Sequence, residues 1–214
     1  MPNGDGSTCA TGFTENFVDP SGIGAQLSAS STGWTGSSAW LDGGTYVGPH
    51  VSTDAWTPDG DGYYVRNSSG QSSSKYAITK VGDSPISSAD RGNIEFTCAW
   101  ASNFALGARL VAIVDGTWYG SDQFGTGLGS HGAMDENDVF AWVPASVNAD
   151  NGNWYVSLAG SPDSYDWRDG VQWSNTPVSG GGLPAGDITQ FGIAWLHTAG
   201  SNYGAVDNFV VSGN

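Results

Sequence analysis

Short runs of apolar residues, separated by turn residues, recur along most of the chain. They occupy residues 63–65, 76–78, 94–100, 108–114, 139–143, 154–158, 191–196 and 206–211. Runs of this length bounded by Gly, Asn, Asp and Ser are typical of β-strands. No stretch keeps an apolar face at helical spacing, because Gly and Ser interrupt every candidate. We therefore expect a β protein with far less helix than usual.

The clearest turn signal is Asp115-Gly116, which follows one apolar run and precedes Thr117-Trp118-Tyr119. Asp-Gly readily adopts positive φ at both central positions of a two-residue hairpin turn. Asn151-Gly152 and Asp169-Gly170 carry the same turn chemistry ahead of further aromatic segments. The sequence predicts a hairpin at Asp115 and turns at the other two sites.

Many short strands at regular spacing predict two packed antiparallel sheets, that is, an all-β sandwich. A sandwich of 214 residues commonly forms one domain. We expect an N-terminal extension over residues 1–9 and a single sandwich domain over residues 10–214. The segments 12–17 and 206–211 should contribute strands from opposite ends of the chain.

The charge balance restricts the classes of partner. Lys and Arg total 6 against 21 Asp and Glu, and the formal net charge is −15. Such a field repels phosphate backbones and anionic lipid headgroups, so we expect neither nucleic acid nor membrane as partner. Neutral ligands and cations fit this charge better.

The two cysteines, Cys9 and Cys98, lie far apart and match no metal or redox spacing. One disulfide between them is the expectation, and two buried thiols are the alternative. The N-terminus lacks the basic and apolar regions of a signal peptide, as it would in a mature secreted chain. We expect a secreted protein, as one module of a longer chain or alone.

Three segments are similar to strands of bacterial extracellular jelly-roll modules of the concanavalin-A-like, laminin-G-like and carbohydrate-binding kinds. They are GFTENF at residues 12–17, VAIVDGTWY at 111–119 and VDNFVV at 206–211. The resemblance implies a jelly roll in which Glu15 and Asp207 share a structural calcium ion, completed by backbone carbonyls. In the alternative interpretation, both acids are simply solvated or cap a turn.

Aromatic content points to sugar binding, because ten Trp exceed what one sandwich core needs. Pyranose rings stack on indole and phenol rings while polar neighbours bind the hydroxyls. The densest mixed cluster lies in residues 164–173. We predict as ligand-binding residues Tyr165, Asp166, Trp167, Arg168, Asp169 and Trp173, together with Trp118 and Trp154 on strands. Each Trp-Tyr pair on a strand must place one ring in the core and the other on the opposite face.

Other classes of function remain open. The acidic segment 135–138 is the candidate for a glycoside hydrolase, which needs two carboxylates at a fixed separation. A polysaccharide lyase is a second alternative, with a Tyr or one of His50, His131 and His197 as base, although six basic residues suit a polyanionic substrate poorly. A purely structural or adhesive surface module is the third. We predict a non-catalytic module that binds a neutral or weakly charged polysaccharide.

Overall fold

The structure is a computed structural model. It describes residues 12–15, 34–36, 40–42, 45–53, 63–69, 75–89, 91–102, 107–124, 143–158, 173–196 and 202–213. Side chains are described over residues 86–89, 91–92, 94–99, 108–124, 144–158, 173–194 and 206–213. The N-terminal extension predicted at residues 1–9 lies outside these ranges, and the proposed domain bounds stay a prediction.

Thirteen strands in the described ranges form two sheets. They are β1 Gly12–Glu15, β2 Trp34–Gly36, β3 Trp40–Asp42, β4 Thr45–Thr53, β5 Tyr63–Ser69, β6 Lys75–Ile86, β7 Glu95–Ser102, β8 Gly107–Val114, β9 Thr117–Ser121, β10 Val143–Asn148, β11 Trp154–Val156, β12 Ile188–Leu196 and β13 Asn202–Ser212. The first sheet has the order β10-β7-β13-β5-β4-β3, with β1 added beside β13. The second has the order β11-β9-β8-β12-β6-β2. Every strand pairing is antiparallel, which confirms the predicted jelly-roll sandwich.

Helix is limited, within the described part of the chain, to a 3-10 turn at Arg91–Asn93. The low helix content predicted from periodicity is confirmed there. No helix among these residues is long and apolar enough to cross a membrane.

The hairpin predicted at Asp115-Gly116 joins β8 to β9. Asp115 has φ of 47° and Gly116 has φ of 78°, as a tight turn with two left-handed residues requires. Asn151-Gly152 also forms a turn, but it carries the chain from β10 in one sheet to β11 in the other. The same dipeptide chemistry therefore serves two different connections.

The core between the sheets is built from alternate strand positions. Phe96 on β7 and Trp154 on β11 are both 0% exposed, and their rings meet edge to face at 5.6 Å. Phe96 also contacts Phe191 of β12 at 6.2 Å between ring centroids. One aromatic side chain of the first sheet thus joins two strands of the second.

Strand β10 extends beyond the predicted apolar run and contains a proline. Of the predicted strand at residues 139–143, only Val143 lies in a described range, and the observed strand continues through Pro144 to Asn148. Because β10 is the last strand of its sheet among the described strands, Pro144 needs no backbone donor on its outer side. Pro49 in β4 is tolerated similarly, since β3 pairs with β4 only as far as Val47.

Cys98 corrects the prediction of a disulfide. Its side chain is 4% exposed, packs in the core between the sheets and carries a free thiol. Burial raises the pKa of this thiol far above its usual value. Cys98 alternates with outward positions of β7 and therefore faces the apolar interior, where it acts as a small hydrophobic residue. Cys9 lies outside the described residues.

Candidate functional site

The outer face of the second sheet carries its own small apolar cluster. Val111 and Ile113 of β8 alternate with core residues and point away from the sandwich interior. With Trp118 of β9 and Ala194 of β12 they form a patch that is at most 6% exposed. Because these side chains are buried, other residues must pack on top of them, and Trp173 is one of those residues.

Trp173 lies close to the backbone of β9 because the strand has a glycine, Gly120, at the point of contact. A Cβ at Gly120 would lie 2.8 Å from Cη2 of Trp173 and 3.0 Å from Cδ of Arg109. The absence of that atom lets the indole approach the backbone of β9. A backbone bridge between Ser157 and Trp173 fixes the segment beyond β11. The ring is half-buried and keeps part of its surface open.

Arg109 connects Trp173 to a second aromatic ring. Its guanidinium carbon lies 4.8 Å from the Tyr155 ring centroid and 5.7 Å from that of Trp173. Its Nη1 also donates to the carbonyl of Ser121. Burial lowers the pKa of Arg109, while Tyr155 and Asp122 act in the opposite direction, and the guanidinium stays charged. We name Trp173, Arg109 and Tyr155 the aromatic platform.

Asp122 anchors the platform at the edge of the sheet. Its Oδ1 accepts a hydrogen bond of 2.7 Å from the Tyr155 hydroxyl, and its Oδ2 accepts one of 2.8 Å from Asn153 Nδ2. The hydrogen bond to Asp122 is the largest cause that raises the pKa of Tyr155. Since a raised pKa keeps the phenol protonated, Tyr155 serves here as a donor and an apolar surface.

A polar groove adjoins the platform. It has a volume of about 630 Å³ and lies between the edge strand β10 and the β9–β11 side of the opposite sheet. Its lining includes six side chains that are carboxylic acids or amides: Glu95, Asp122, Gln123, Asn148, Asn151 and Asn153. Asp122 belongs to both features, because it lines the groove and bonds to Tyr155.

The predicted ligand residues fall into three groups. Trp173 lies on the platform. Trp154 is 0% exposed in the core and donates through Nε1 to the carbonyl of Asn148, and Trp118 is 4% exposed beneath the outer-face cover. Neither ring offers a face to a ligand in this arrangement. The remaining predicted residues lie outside the described ranges: Tyr165, Asp166, Trp167, Arg168 and Asp169.

Three residues of the site were not predicted individually: Arg109, Asp122 and Tyr155. Strand alternation did carry a signal for Tyr155, because one ring of the Trp154-Tyr155 pair had to face outward. Arg109 likewise alternates with the core residues Ala108 and Leu110. The choice between the two rings required the position of β11 relative to the core.

The two acids predicted to bind metal lie on paired strands. Glu15 of β1 pairs with Phe209 of β13, two residues beyond Asp207. The register of β13 with β7 breaks between Asp207 and Val210, and Asn208 has φ of 48°. Asp207 is 0% exposed, and its Oδ1 accepts a hydrogen bond of 2.7 Å from the Asn208 amide. Among the side chains described, no group of three or more His, Cys, Asp or Glu residues is arranged to hold a metal.

No family model matches the chain. No curated protein matches it either.

Solved structures with a similar arrangement exist at low identity. The K2 cleaved adhesin domain of Lys-gingipain is 14% identical, with a TM-score of 0.49, over 95% of this chain and 98% of that one. A family 11 carbohydrate-binding module from Clostridium thermocellum, in complex with a β-1,3-1,4-mixed-linked tetrasaccharide, is 9% identical, with a TM-score of 0.46, over 95% and 96%. The TmCBM61 module, in complex with β-1,4-galactotriose, is 11% identical, with a TM-score of 0.36, over 78% and 82%. These likenesses assign no ligand to this chain.

Proposed function

We propose that this domain binds a neutral or weakly charged polysaccharide at the aromatic platform and does not cleave it. The observation that carries the proposal is the arrangement of Trp173 and Tyr155 around Arg109, with Asp122 and Asn153 at the rim. Aromatic faces stack on the C–H faces of pyranose rings, and the rim groups hydrogen-bond to hydroxyls. The protein is proposed to act outside the cell, alone or within a longer chain.

The charges favour a neutral ligand over an anionic one. Arg109 is one of only six basic residues in a chain of formal net charge −15. Its guanidinium already contacts two rings and a carbonyl, and Asp122 lies on the rim beside it. A uronate or sulfate would meet this acid and the negative field of the protein.

A polysaccharide lyase could use a Tyr base beside an Arg, and the platform has both residues. The raised pKa of Tyr155 opposes this role. A tyrosine base must lose its proton near the working pH. Asp122 raises the pKa of Tyr155, so the phenol holds its proton more firmly than usual. The acidic segment 135–138, the hydrolase candidate, lies outside the described residues.

The first test measures binding by affinity electrophoresis on a panel of neutral and anionic polysaccharides. We expect retention by a neutral glycan that persists at high salt, because stacking is insensitive to ionic screening. Tyr155→Ala and Trp173→Ala should each weaken retention by roughly 1–3 kcal/mol, by analogy with stacking of bases on aromatic side chains. Trp167→Ala tests the predicted residue outside the described ranges in the same way. Thr117→Ala, an exposed change at the β8–β9 hairpin, is the control and should not alter retention.

Assay of new reducing ends on the same panel separates the classes of function. Retention without product supports a binding module. New reducing ends that Glu136→Ala abolishes would make the protein a hydrolase. If no glycan of a broad panel is retained and no product appears, a structural or adhesive module is the remaining interpretation.

We propose in addition that Glu15 and Asp207 share a structural calcium ion. The support is their placement on adjacent strands and the full burial of the Asp207 carboxylate at the irregular point of β13. Calcium takes six to eight oxygen ligands, and backbone carbonyls near a break in strand register are suitable additional donors. The ion would supply a positive charge that ties the first strand to the last.

A further inference from the structure

The polar groove lies at one edge of the sandwich, where the end strand β10 of the first sheet is close to the β11 side of the second. Its floor and walls come from β10 of the first sheet and from the β9 end and the turn before β11 of the second. Its volume of about 630 Å³ falls within the range of about 300–1,000 Å³ that is typical of small-molecule sites. The groove is therefore large enough to hold a ligand group rather than isolated waters.

The lining of the groove matches hydroxyl groups. Gln123, Asn148, Asn151 and Asn153 each carry an amide with donors and an acceptor side by side. An amide whose atoms are not already bonded can pair with two neighbouring hydroxyls of a sugar ring, whereas Asn148 Oδ1 and Asn153 Nδ2 already bond within the protein. Among the described residues that line the groove, none is Lys or Arg, whereas Glu95 and Asp122 are acids. This combination accepts neutral polyhydroxylated groups and disfavours anionic ones.

Gln123 gives an independent indication of a ligand. Its Nε2 is shielded from solvent and has no hydrogen-bond partner within the described part of the chain. A buried donor without a partner costs about 1–3 kcal/mol. Gln123 lies in the lining of the groove, and a rotation of its side chain toward the groove would let this nitrogen donate to a ligand oxygen and remove that cost.

The groove and the platform form one continuous surface through Asp122. This residue lines the groove, and its Oδ1 accepts a hydrogen bond from the hydroxyl of Tyr155 on the platform. Asn153 also lines the groove and donates to the other oxygen of the same carboxylate. A sugar chain stacked on Tyr155 thus has its next polar contacts in the groove.

We infer that the groove is a second subsite, which holds a neutral sugar residue of the same chain whose neighbouring residues stack on the platform. The inference rests on the proposed function and extends it to the length and shape of the ligand. The domain then recognises an internal stretch of a linear polysaccharide, since a terminal residue alone fills only one of the two zones.

The test compares ligand lengths. Binding of cello-, laminari-, manno- and β-1,4-galacto-oligosaccharides, from monosaccharide to hexasaccharide, is measured by titration calorimetry on the whole domain. Affinity should rise with length beyond the disaccharide in the series that binds. Gln123→Met and Asn151→Ala should each weaken hexasaccharide binding roughly three- to tenfold while leaving disaccharide binding unchanged, as expected for one lost hydrogen bond.

Stability measurements separate a binding role from a structural one. Gln123→Met removes a buried donor that lacks a partner, so the melting temperature should stay the same or rise while hexasaccharide binding falls. Asp115→Asn, an exposed substitution on the β8–β9 turn outside the groove, is the control and should alter neither the melting temperature nor hexasaccharide binding. The side-chain amide resonances of Gln123 and Asn151 should shift with hexasaccharide and not with disaccharide.

The outcomes distinguish the two proposals. Equal losses for all ligand lengths, or affinity that stops rising at the disaccharide, would overturn the second subsite and leave the platform intact. Failure of the unmodified domain to bind any neutral glycan in the panel and these series would overturn both.

Discussion

Gly120 determines how closely Trp173 approaches the outer face of the second sheet. A methyl group at this position would lie 2.8 Å from the indole, a distance that real Cβ contacts do not show. The ring, or the strand beneath it, must then move. The position of the Trp173 ring on the platform therefore depends on a residue that has no side chain.

Gly120→Ala is expected to displace Trp173 and weaken glycan retention as strongly as Trp173→Ala does. Overpacking of this kind typically costs about 1–3 kcal/mol of stability. The measurement combines affinity electrophoresis with urea unfolding. Gly92→Ala is the control, because a Cβ there meets Asp150 Oδ2 at an ordinary 3.6 Å. Unchanged retention by a folded Gly120→Ala variant would show that the indole position does not matter for binding.

The turn between β10 and β11 is held by contacts from distant segments. Asn148 Oδ1 accepts hydrogen bonds from the amides of Asp150 and Asn151, which closes the turn locally. The amides of Gly182 and Leu183 then donate to the carbonyls of Gly152 and Ala149 at 2.7 Å and 2.6 Å. The loop before β12 therefore supports the wall of the groove.

Arg91 joins the 3-10 turn to that same loop. Its guanidinium is buried, donates to the carbonyls of Leu183 (2.9 Å), Pro184 and Gly186, and lies 3.5 Å from Asp150 Oδ1. A planar guanidinium can serve several acceptors at once, which an ammonium group cannot do from one position. The contact links segments that are about ninety residues apart in sequence.

Arg91→Met should lower the free energy of unfolding by about 3 kcal/mol, because it leaves buried carbonyls and a half-buried carboxylate without their partner. Arg91→Lys should fall between this variant and the unmodified protein. Urea unfolding measures both, and a lower midpoint with an unchanged slope identifies a loss of stability alone. A loss below 1 kcal/mol for Arg91→Met would mean that solvent replaces these contacts.

The two ends of the described chain meet in the first sheet. β1 pairs with the last residues of β13, from Gly12 opposite Ser212 to Glu15 opposite Phe209. β5 pairs with the earlier half of β13, up to Val206. The last strand thus holds two other strands along one edge, and the proposed calcium site lies between those two pairings.

Removal of calcium by a chelator should lower the melting temperature if Glu15 and Asp207 share the ion, because a ligand bound only to the native state stabilises it. Calorimetry with and without chelator gives the shift, and added calcium should restore the original value. Glu15→Gln should reduce the shift. An identical melting curve after verified calcium removal would dispose of the calcium proposal.

The amino-acid sequence by itself determined the class of fold and most strand positions. Apolar runs bounded by turn residues predicted β7, β8, β12 and β13, and Asp115-Gly116 predicted the hairpin, since these signals depend on neighbouring residues. Strand β4 was not predicted, and of the run predicted at residues 139–143 only Val143 lies in the described part of β10, which continues through Pro144 to Asn148. Proline is compatible with both strands because each position lies beside an unpaired edge among the described strands.

Tertiary structure alone decided which aromatic rings reach the surface. Alternation required one ring of Trp154-Tyr155 to face outward, but the phase of β11 relative to the core placed Tyr155 there and buried Trp154. Arg109, Asp122, Tyr155 and Trp173 come together from four separate segments, and so do the walls of the groove. Local patterns fix the periodicity of a strand, whereas contacts between distant segments arise only when the sheets pack and set the register.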